Sequence, residues 1–354
     1  MNAAGFPGWP SVLARVFAGE ALSAELAALA LGEILSGRAQ PSQIAAFAAS
    51  MRTKGETVEE ICGFLDAMRT HGEEVLVDHM VLDTCGTGGD RSGTINVSTI
   101  AALVCAGLGV PVCKHGNRAA SSLSGSADVL EALGVTIALS PAGVRRCIDT
   151  AGIGFCFAPR FHPAMRHAGP VRSELGVPTF FNILGPLSNP AHARHQLVGV
   201  GAPELAEKML GVLEATGAIH AMVVYGHDGL DELSTSAPST ILETYLDTDG
   251  RRVRKDAIID PAALGLATAK REDLLGGDPQ HNATRARAIL SGEHGPQRDI
   301  VVLNAGAALL VAGRAEDLET AMGLAEQALD DGAAAHALEL LVETSRAAAD
   351  EGLV

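Results

Sequence analysis

The 354-residue sequence predicts an α/β protein: a mainly parallel sheet flanked by helices, with a smaller all-helical domain ahead of it. Three observations carry that prediction. Between about residues 80 and 245, short runs rich in β-branched residues alternate with stretches of helical periodicity, the pattern of parallel strands joined by crossover helices. Within this region, from Asp83 to Gly134, two glycine-rich turns each lead into an apolar helix. Ahead of both, Ser11 to His71 repeats apolar residues at spacings of three and four and shows no strand pattern.

Taken in order, residues 1 to about 10 are rich in Gly and Pro and read as a loose tail. In the helical stretch, Leu22, Leu26 and Leu29, then Ile61, Phe64, Leu65 and Met68, mark apolar faces, with breaks at Gly19, Gly37 and Gly55. Pro41 follows a helix end, and Ser42 is the candidate cap of the next helix. Val81-Leu82 reads as a strand entering the first glycine turn. Helix Ile100–Leu108, strand Val110–Cys113, helix Ala127–Leu133, strand Val135–Leu139, helix Pro141–Ala151 and strand Phe155–Phe157 follow. Residues 159–190 interrupt the alternation with a basic, proline-rich stretch. Strands Leu197–Val200, Ala221–Tyr225 and Thr240–Tyr245 resume it, with helix Pro203–Thr216 between the first two. Asn282–Leu290, Ile300–Leu310, Asp317–Leu329 and the stretch to Ala349 read as helices.

Composition narrows the function. A formal net charge of -16 argues against a nucleic-acid-binding surface, though it leaves room for a local basic pocket. The six cysteines form no CxxC pair and several sit in apolar runs, which suits buried reduced thiols in a cytosolic protein. The N-terminus lacks a basic segment before an apolar one, and no apolar stretch is long enough to span a bilayer. The expectation is a soluble, cytoplasmic protein.

The chemistry concentrates in three loops. The first turn is Cys85-Gly86-Thr87-Gly88-Gly89-Asp90, followed by Asn96-Val97-Ser98-Thr99. The second is Lys114-His115-Gly116-Asn117-Arg118, followed by Ser121-Ser122 and Gly125-Ser126-Ala127-Asp128. Glycines let backbone approach a ligand closely, and free N–H groups at a helix start receive anions. Two such turns, one with Lys and Arg, point to a ligand with more than one phosphate. One glycine turn alone would be an ordinary strand-to-helix connection. Neither turn is a Walker loop or a dinucleotide fingerprint. The third loop, Gly229-Leu230-Asp231-Glu232, also follows a strand. If the three strands are neighbours, their loops converge where open α/β sheets bind ligands. A paired Asp and Glu in a turn is commonly just solvated surface. Beside two phosphate loops it suits a hard cation such as Mg2+ bridging carboxylates to phosphates. In the interrupting stretch, Arg166 and His167 read as a solvated face. For His162 a satisfied core histidine and a pocket residue both stay open.

These residues resemble a known family. Gly86 to Asp90, Asn96 to Thr99, the long run Lys114 to Gly134, Phe181 to Pro190 and Gly229 to Glu232 are similar to the motifs of the anthranilate phosphoribosyltransferases, across nearly the whole chain. The resemblance implies that residues 1–78 form the small helical domain, joined by a hinge segment at about 165–190, and that 79–354 form the phosphoribosyl-pyrophosphate-binding domain. It places Gly86, Gly89, Asp90, Thr94, Asn96, Val97, Ser98, Thr99, Lys114, His115, Gly116, Asn117, Arg118, Ala119, Ala120, Ser121, Ser122 and Ser126 at phosphoribosyl pyrophosphate. Gly86, Asn117 and Arg172 fall to anthranilate, with His115 and His162 nearby. Ser98, Asp231 and Glu232 fall to Mg2+, with two ions per subunit and a homodimer implied.

No general base is assigned. An aromatic amine is neutral at pH 7 and needs no prior deprotonation. The residues would position the reactants and stabilise the departing pyrophosphate. One departure stands out: Pro178 replaces an arginine frequent in the family. A pyrimidine-nucleoside phosphorylase is the competing enzyme reading, and it would need neither the paired acids nor the Lys114 to Arg118 turn. A non-catalytic nucleic-acid-binding relative would need a basic groove, against the charge of -16.

Overall fold

The computed structural model describes residues 5–119 and 123–354. Helices α1 (Trp9–Phe17), α2 (Ala24–Leu35), α3 (Pro41–Lys54) and α4 (Val58–Thr70) form an N-terminal bundle. The breaks at Gly19, Gly37 and Gly55 hold because each takes a positive φ, 77°, 70° and 83°. α2 and α4 cross tightly at Gly63, where a Cβ would lie 2.1 Å from the Ala24 carbonyl oxygen. Two sequence expectations change here. The described part of the tail is packed: Phe6 and Trp9 are buried, and Trp9 meets Phe47 edge-on at 5.5 Å. The cap of α3 is Gln40, whose N–H donates to Gln43 Oε1. Pro41 takes the first helical position and Ser42 lies inside the helix.

The α/β part follows as β1 (Leu82–Gly86), α5 (Val97–Gly107), β2 (Val112–Gly116), α6 (Ser126–Leu133), α7 (Pro141–Ala151) and β3 (Ile153–Phe157). Short helices α8 (Ala158–Phe161), α9 (Gly169–Leu175) and α10 (Phe180–Leu187) fill the interrupting stretch. Then come β4 (His195–Gly199), α11 (Ala206–Ala215), β5 (His220–Gly226), β6 (Ser239–Leu246) and β7 (Arg252–Ile259). The chain closes with α12 (Pro279–Leu290), α13 (Pro296–Val311), α14 (Leu318–Asp330) and α15 (Ala333–Asp350). The sheet order is β3-β2-β1-β4-β5-β6-β7, parallel from β3 through β5 and antiparallel for the last two pairs. This is the mainly parallel sheet flanked by helices that the sequence predicts.

The expected strand Val135–Leu139 is not one. Val135, Ile137 and Leu139 do alternate into the core, but the backbone spends its hydrogen bonds elsewhere: Thr136 N–H goes to Ser345 Oγ and Ser140 N–H to the Leu353 carbonyl. Period-two burial here reports an extended segment lying on α15, not a sheet. β7 escapes sequence reading for the opposite reason. It is an edge strand with mostly exposed residues, so it lacks an apolar face.

Each face of the sheet carries its own core. On one, α5, α13 and α15 pack against β1, β2 and β3. On the other, Val198, Val200, Ala221 and Val223 join α10, α11 and the N-terminal bundle in one apolar cluster. Phe180 of α10 sits between Phe47 and Phe64, with ring centroids 5.7 and 4.4 Å away. The bundle is thereby fixed beside the carboxyl ends of the strands.

Candidate active site

Sheet order reverses between β1 and β4, since β1 runs on to β2 on one side while β4 continues on the other. Such a switch point opens a crevice beyond the strand ends. Here a cleft of about 620 Å3 occupies it, closed on one side by Met68 of α4 and by the α8–α10 stretch. That volume falls within the range of small-molecule sites.

The three loops converge there, though not through adjacent strands. β4 lies between β1 and β5, and two glycines let the third loop cross it. A Cβ on Gly199 would sit 1.5 Å from the Asp231 carbonyl oxygen, and one on Gly86 2.5 Å from Asp231 Oδ2. Gly86 therefore makes room for a carboxylate. The loop is then tied down. Gly88 N–H donates to Asp231 Oδ2 at 2.7 Å, and Ser98 N–H, in the first turn of α5, donates to Glu232 Oε1 at 3.1 Å. From below, buried Asn304 of α13 accepts the Leu233 N–H at 3.0 Å and donates to the Leu233 carbonyl at 2.9 Å. Sequence reading missed Asn304. Its signal was a lone amide inside the apolar run Ile300–Leu310.

Three acids now crowd one corner. Burial, then the nearby Asp90, push the Asp231 carboxyl up to about 7. Burial, then Asp231 and Asp90, push Glu232 well above the usual carboxylate range. Asp90 Oδ2 is buried with no hydrogen-bond partner among the described residues. Crowded, under-satisfied carboxylate oxygens fit a hard divalent cation. Among the described residues no three His, Cys, Asp or Glu side chains stand ready to hold a metal alone.

The cations are less free than their sequence positions suggest. Lys114 is buried, and its ammonium donates to the Thr84 carbonyl and, at 3.3 Å, to Ser98 Oγ. Burial lowers its pKa, with Asp83 opposing. Arg118 pairs with Asp128 and Glu131, both at 2.8 Å, and lies over the Phe157 ring. Asp128 also shapes the second turn by accepting the Ala119 and Gly125 N–H groups, each at 2.9 Å.

At the other end of the cleft the surroundings turn apolar. Met165, Phe181, Leu184 and Pro186 line it, and Arg172 lies with its guanidinium 5.3 Å from the Phe181 ring centroid. Two histidines stand beside them, ring centroids 5.1 Å apart. His115 Nδ1 bonds the Gly185 carbonyl at 2.9 Å and His162 Nε2 the Ser188 carbonyl at 3.1 Å, so each other ring nitrogen is a bare acceptor. Burial pushes His115 down to about 3 and His162 to about 4, so both are neutral at pH 7. His162 is thus both core-bonded and cleft-lining.

Of the residues expected in the site, Gly86, Gly89, Asp90, Thr94, Asn96, Ser98, Thr99, Lys114, His115, Gly116, Asn117, Arg118, Ala119, Ser126, Arg172, Asp231 and Glu232 line this one cleft. Val97 does not. It is fully buried among the core residues beneath α5, because the first turn of that helix points it inward. Ala120, Ser121 and Ser122 lie outside the described residues. Arg166, expected on a solvated face, is exposed but borders the cleft. His167 is half-buried instead of solvated, its ring close enough to Gly37 that a Cβ there would meet it at 2.9 Å. Pro178 is exposed and is not among the cleft-lining residues.

Both halves of the chain match a glycosyl transferase family, the α/β domain over residues 78–335 and the helical bundle domain over residues 10–72. The class is therefore a glycosyl transferase with its helical bundle attached. Over 332 residues the chain is 52% identical to anthranilate phosphoribosyltransferase of Roseiflexus castenholzii, covering 94% of this chain and 96% of that one. It is 50% identical to the enzyme of Chloroflexus aggregans over 94% of this chain and 97% of that one. Among solved structures, anthranilate phosphoribosyltransferase from Thermus thermophilus superposes with a TM-score of 0.88 at 42% identity, covering 94% of this chain and 99% of that one. The Saccharomyces cerevisiae enzyme in complex with PRPP and Mg gives 0.87 at 26%, covering 96% and 98%. The chain belongs to the anthranilate phosphoribosyltransferases.

Proposed function

We propose that this chain transfers the phosphoribosyl group of 5-phosphoribosyl 1-pyrophosphate to the amine of anthranilate, giving N-(5-phosphoribosyl)anthranilate and pyrophosphate in tryptophan biosynthesis. The observation that carries the reading is one cleft with two unlike ends. Two glycine turns and three crowded carboxylates form one end, and an apolar wall with Arg172 forms the other. A nucleoside phosphorylase would have no use for the acid cluster.

The acid end suits the pyrophosphate, with Ser98, Asp231 and Glu232 as the residues that would hold Mg2+, two ions per subunit. When bound, Mg2+ supplies positive charge where negative charge grows on the leaving group. The chain's own residues do the rest. The turn at Gly88-Gly89-Asp90 brings main chain up to the phosphates, and φ values of 64° and 81° explain why both central positions are glycine. Lys114 contributes a fixed positive charge from beneath, through Ser98. At the apolar end, Arg172 would hold the anthranilate carboxylate with a planar pair of donors, and Asn117 would lie beside it. The neutral rings of His115 and His162 add uncharged wall there, so neither ring competes as a cation for the amine lone pair. The enzyme is proposed to work as a homodimer in the cytoplasm. Among the described residues no helix is long and apolar enough to cross a membrane.

Loss of anthranilate fluorescence with phosphoribosyl pyrophosphate and Mg2+ tests the reaction. Pyrophosphate should appear in equal amount. Purified chain that consumes neither substrate would sink the proposal.

A further inference from the structure

We propose that Asn282, in the first turn of α12, fixes which way the Asn96 amide faces, and thereby acts as a positioning residue for the phosphoribosyl pyrophosphate. The proposal rests on the reading of the cleft given above. The sequence marks Asn282 only as part of a helix start, after Gly276-Gly277-Asp278-Pro279.

Three hydrogen bonds run in one line. Gly277 N–H donates to Asn282 Oδ1 at 2.7 Å, Asn282 Nδ2 donates to Asn96 Oδ1 at 2.9 Å, and Asn96 Nδ2 donates to the Ser124 carbonyl at 3.1 Å. Side-chain amides can be turned either way round, so an isolated pair would have no defined direction. This line has one, because both of its ends are main-chain groups. A backbone N–H can only donate and a backbone carbonyl can only accept. The direction of both amides follows from the ends.

The surroundings hold the line in place. Asn282 is only 2% exposed, whereas Asn96 is partly open and lines the cleft. Gly276 leaves no room for a side chain, since a Cβ would lie 2.6 Å from Asn282 Oδ1 and 2.9 Å from the Thr94 carbonyl. Gly276 N–H donates to the Gly93 carbonyl and Ile95 N–H to that of Leu274, so this turn is laced to the first glycine loop. Ser124 belongs to the second loop, and the relay joins the two.

Its consequence for the ligand is a matter of sign. Asn96 gives its carbonyl to Asn282 and one N–H to Ser124. What it has left to offer the cleft is a second N–H donor, the right group for a phosphate. Turned the other way, it would present a carbonyl oxygen to a polyanion.

Asn282→Asp keeps the acceptor for Gly277 and removes the donor to Asn96; Asn282→Ala removes both. Each is measured for kcat, for KM toward both substrates and for melting temperature, alone and combined with Asn96→Ala. The expected result is a rise of about tenfold or more in KM for phosphoribosyl pyrophosphate, the scale of one hydrogen bond to a charged group. KM for anthranilate and kcat should stay within about twofold. In the Asn96→Ala background either change should add nothing further to KM. A merely structural role predicts instead lower melting with unmoved KM, or a KM effect that persists undiminished without Asn96; either result overturns the relay. If Asn282→Asp does not fold, Asn282→Ala carries the same test. Wild-type protein without turnover would remove the proposed function and the relay with it. Wild-type turnover with an unmoved KM in the variants removes the relay alone.

Discussion

Asp231→Asn should make the metal-free protein more stable at alkaline pH while stripping it of activity. Asp231 titrates at about 7 because burial and Asp90 oppose its charge. The folded state therefore holds a proton that the unfolded chain, with an ordinary carboxylate, releases some three pH units lower. The sign follows. Between about pH 4 and 7 the folded state binds more protons than the unfolded one, so stability falls as pH rises through that window and stays low above it. The full gap corresponds to on the order of 2–4 kcal/mol, the lower end allowing for screening by water in the cleft. An asparagine imitates the protonated acid. Its oxygen can still accept the Gly88 N–H, and it carries no charge for Asp90 to oppose. Wild type and variant should melt alike near pH 4.5 in chelator, and diverge by several degrees at pH 8 with the variant higher. Turnover with Mg2+ should meanwhile fall sharply. Parallel melting profiles across that range would show that Asp231 carries no buried repulsion, and the case for a cation site built on crowding would go with it.

Arg172→Ala should raise KM for anthranilate by about tenfold or more while leaving KM for phosphoribosyl pyrophosphate nearly unchanged, since a charge-assisted bond to one carboxylate is lost; the reverse pattern in steady-state kinetics would refute the division of the cleft. Gly199→Ala should lower kcat and demand more Mg2+, because its Cβ meets the Asp231 carbonyl at 1.5 Å and must displace the loop. A Mg2+ titration indistinguishable from wild type would show that the loop's crossing of β4 does not set the site.

How much of this was legible in the sequence depended on whether a residue's role was local. Glycine turns, helix breaks and strand-to-helix alternation are written in neighbouring residues, and they placed β1, β2 and β5 with their loops. Roles set across the fold were not. Gly86 reads as a phosphate-approach glycine, yet its missing side chain makes room for Asp231, 145 positions away in sequence order. Gly199 stands outside every motif, and only the insertion of β4 between β1 and β5 shows why it must be glycine. Asn304, Asn282 and Asn189 tell the same story. Asn189 lies in the motif ending at Pro190, but its bonds to Asp83 Oδ2 and the Cys113 carbonyl, at 2.8 and 2.7 Å, brace β1 and β2 from a distant segment. Val135–Leu139 misled because alternation reports which way side chains point and not what the backbone pairs with.

The charge arrangement has a consequence for how the substrate binds. The cleft is read as a site for a polyanion, yet Asp90, Asp231 and Glu232 crowd its phosphate end beside the cations Arg91, Lys114 and Arg118. Lys114 is spent on Thr84 and Ser98, and Arg118 on Asp128 and Glu131, while Asp90, Asp231 and Glu232 face one another. Without a cation, bringing in phosphoribosyl pyrophosphate adds negative charge beside carboxylates already forced together. Cation and substrate must therefore favour each other's binding, and by linkage each should tighten the other by the same factor. Calorimetry should show wild type binding phosphoribosyl pyrophosphate at least tenfold more weakly in chelator than with Mg2+. Asp231→Asn, with one repelling charge gone, should bind the metal-free substrate better than wild type does and gain less from Mg2+. A variant that binds the metal-free substrate no better than wild type would mean that Asp231 shapes the loop without opposing the phosphates, and the coupling would have to come from the substrate alone.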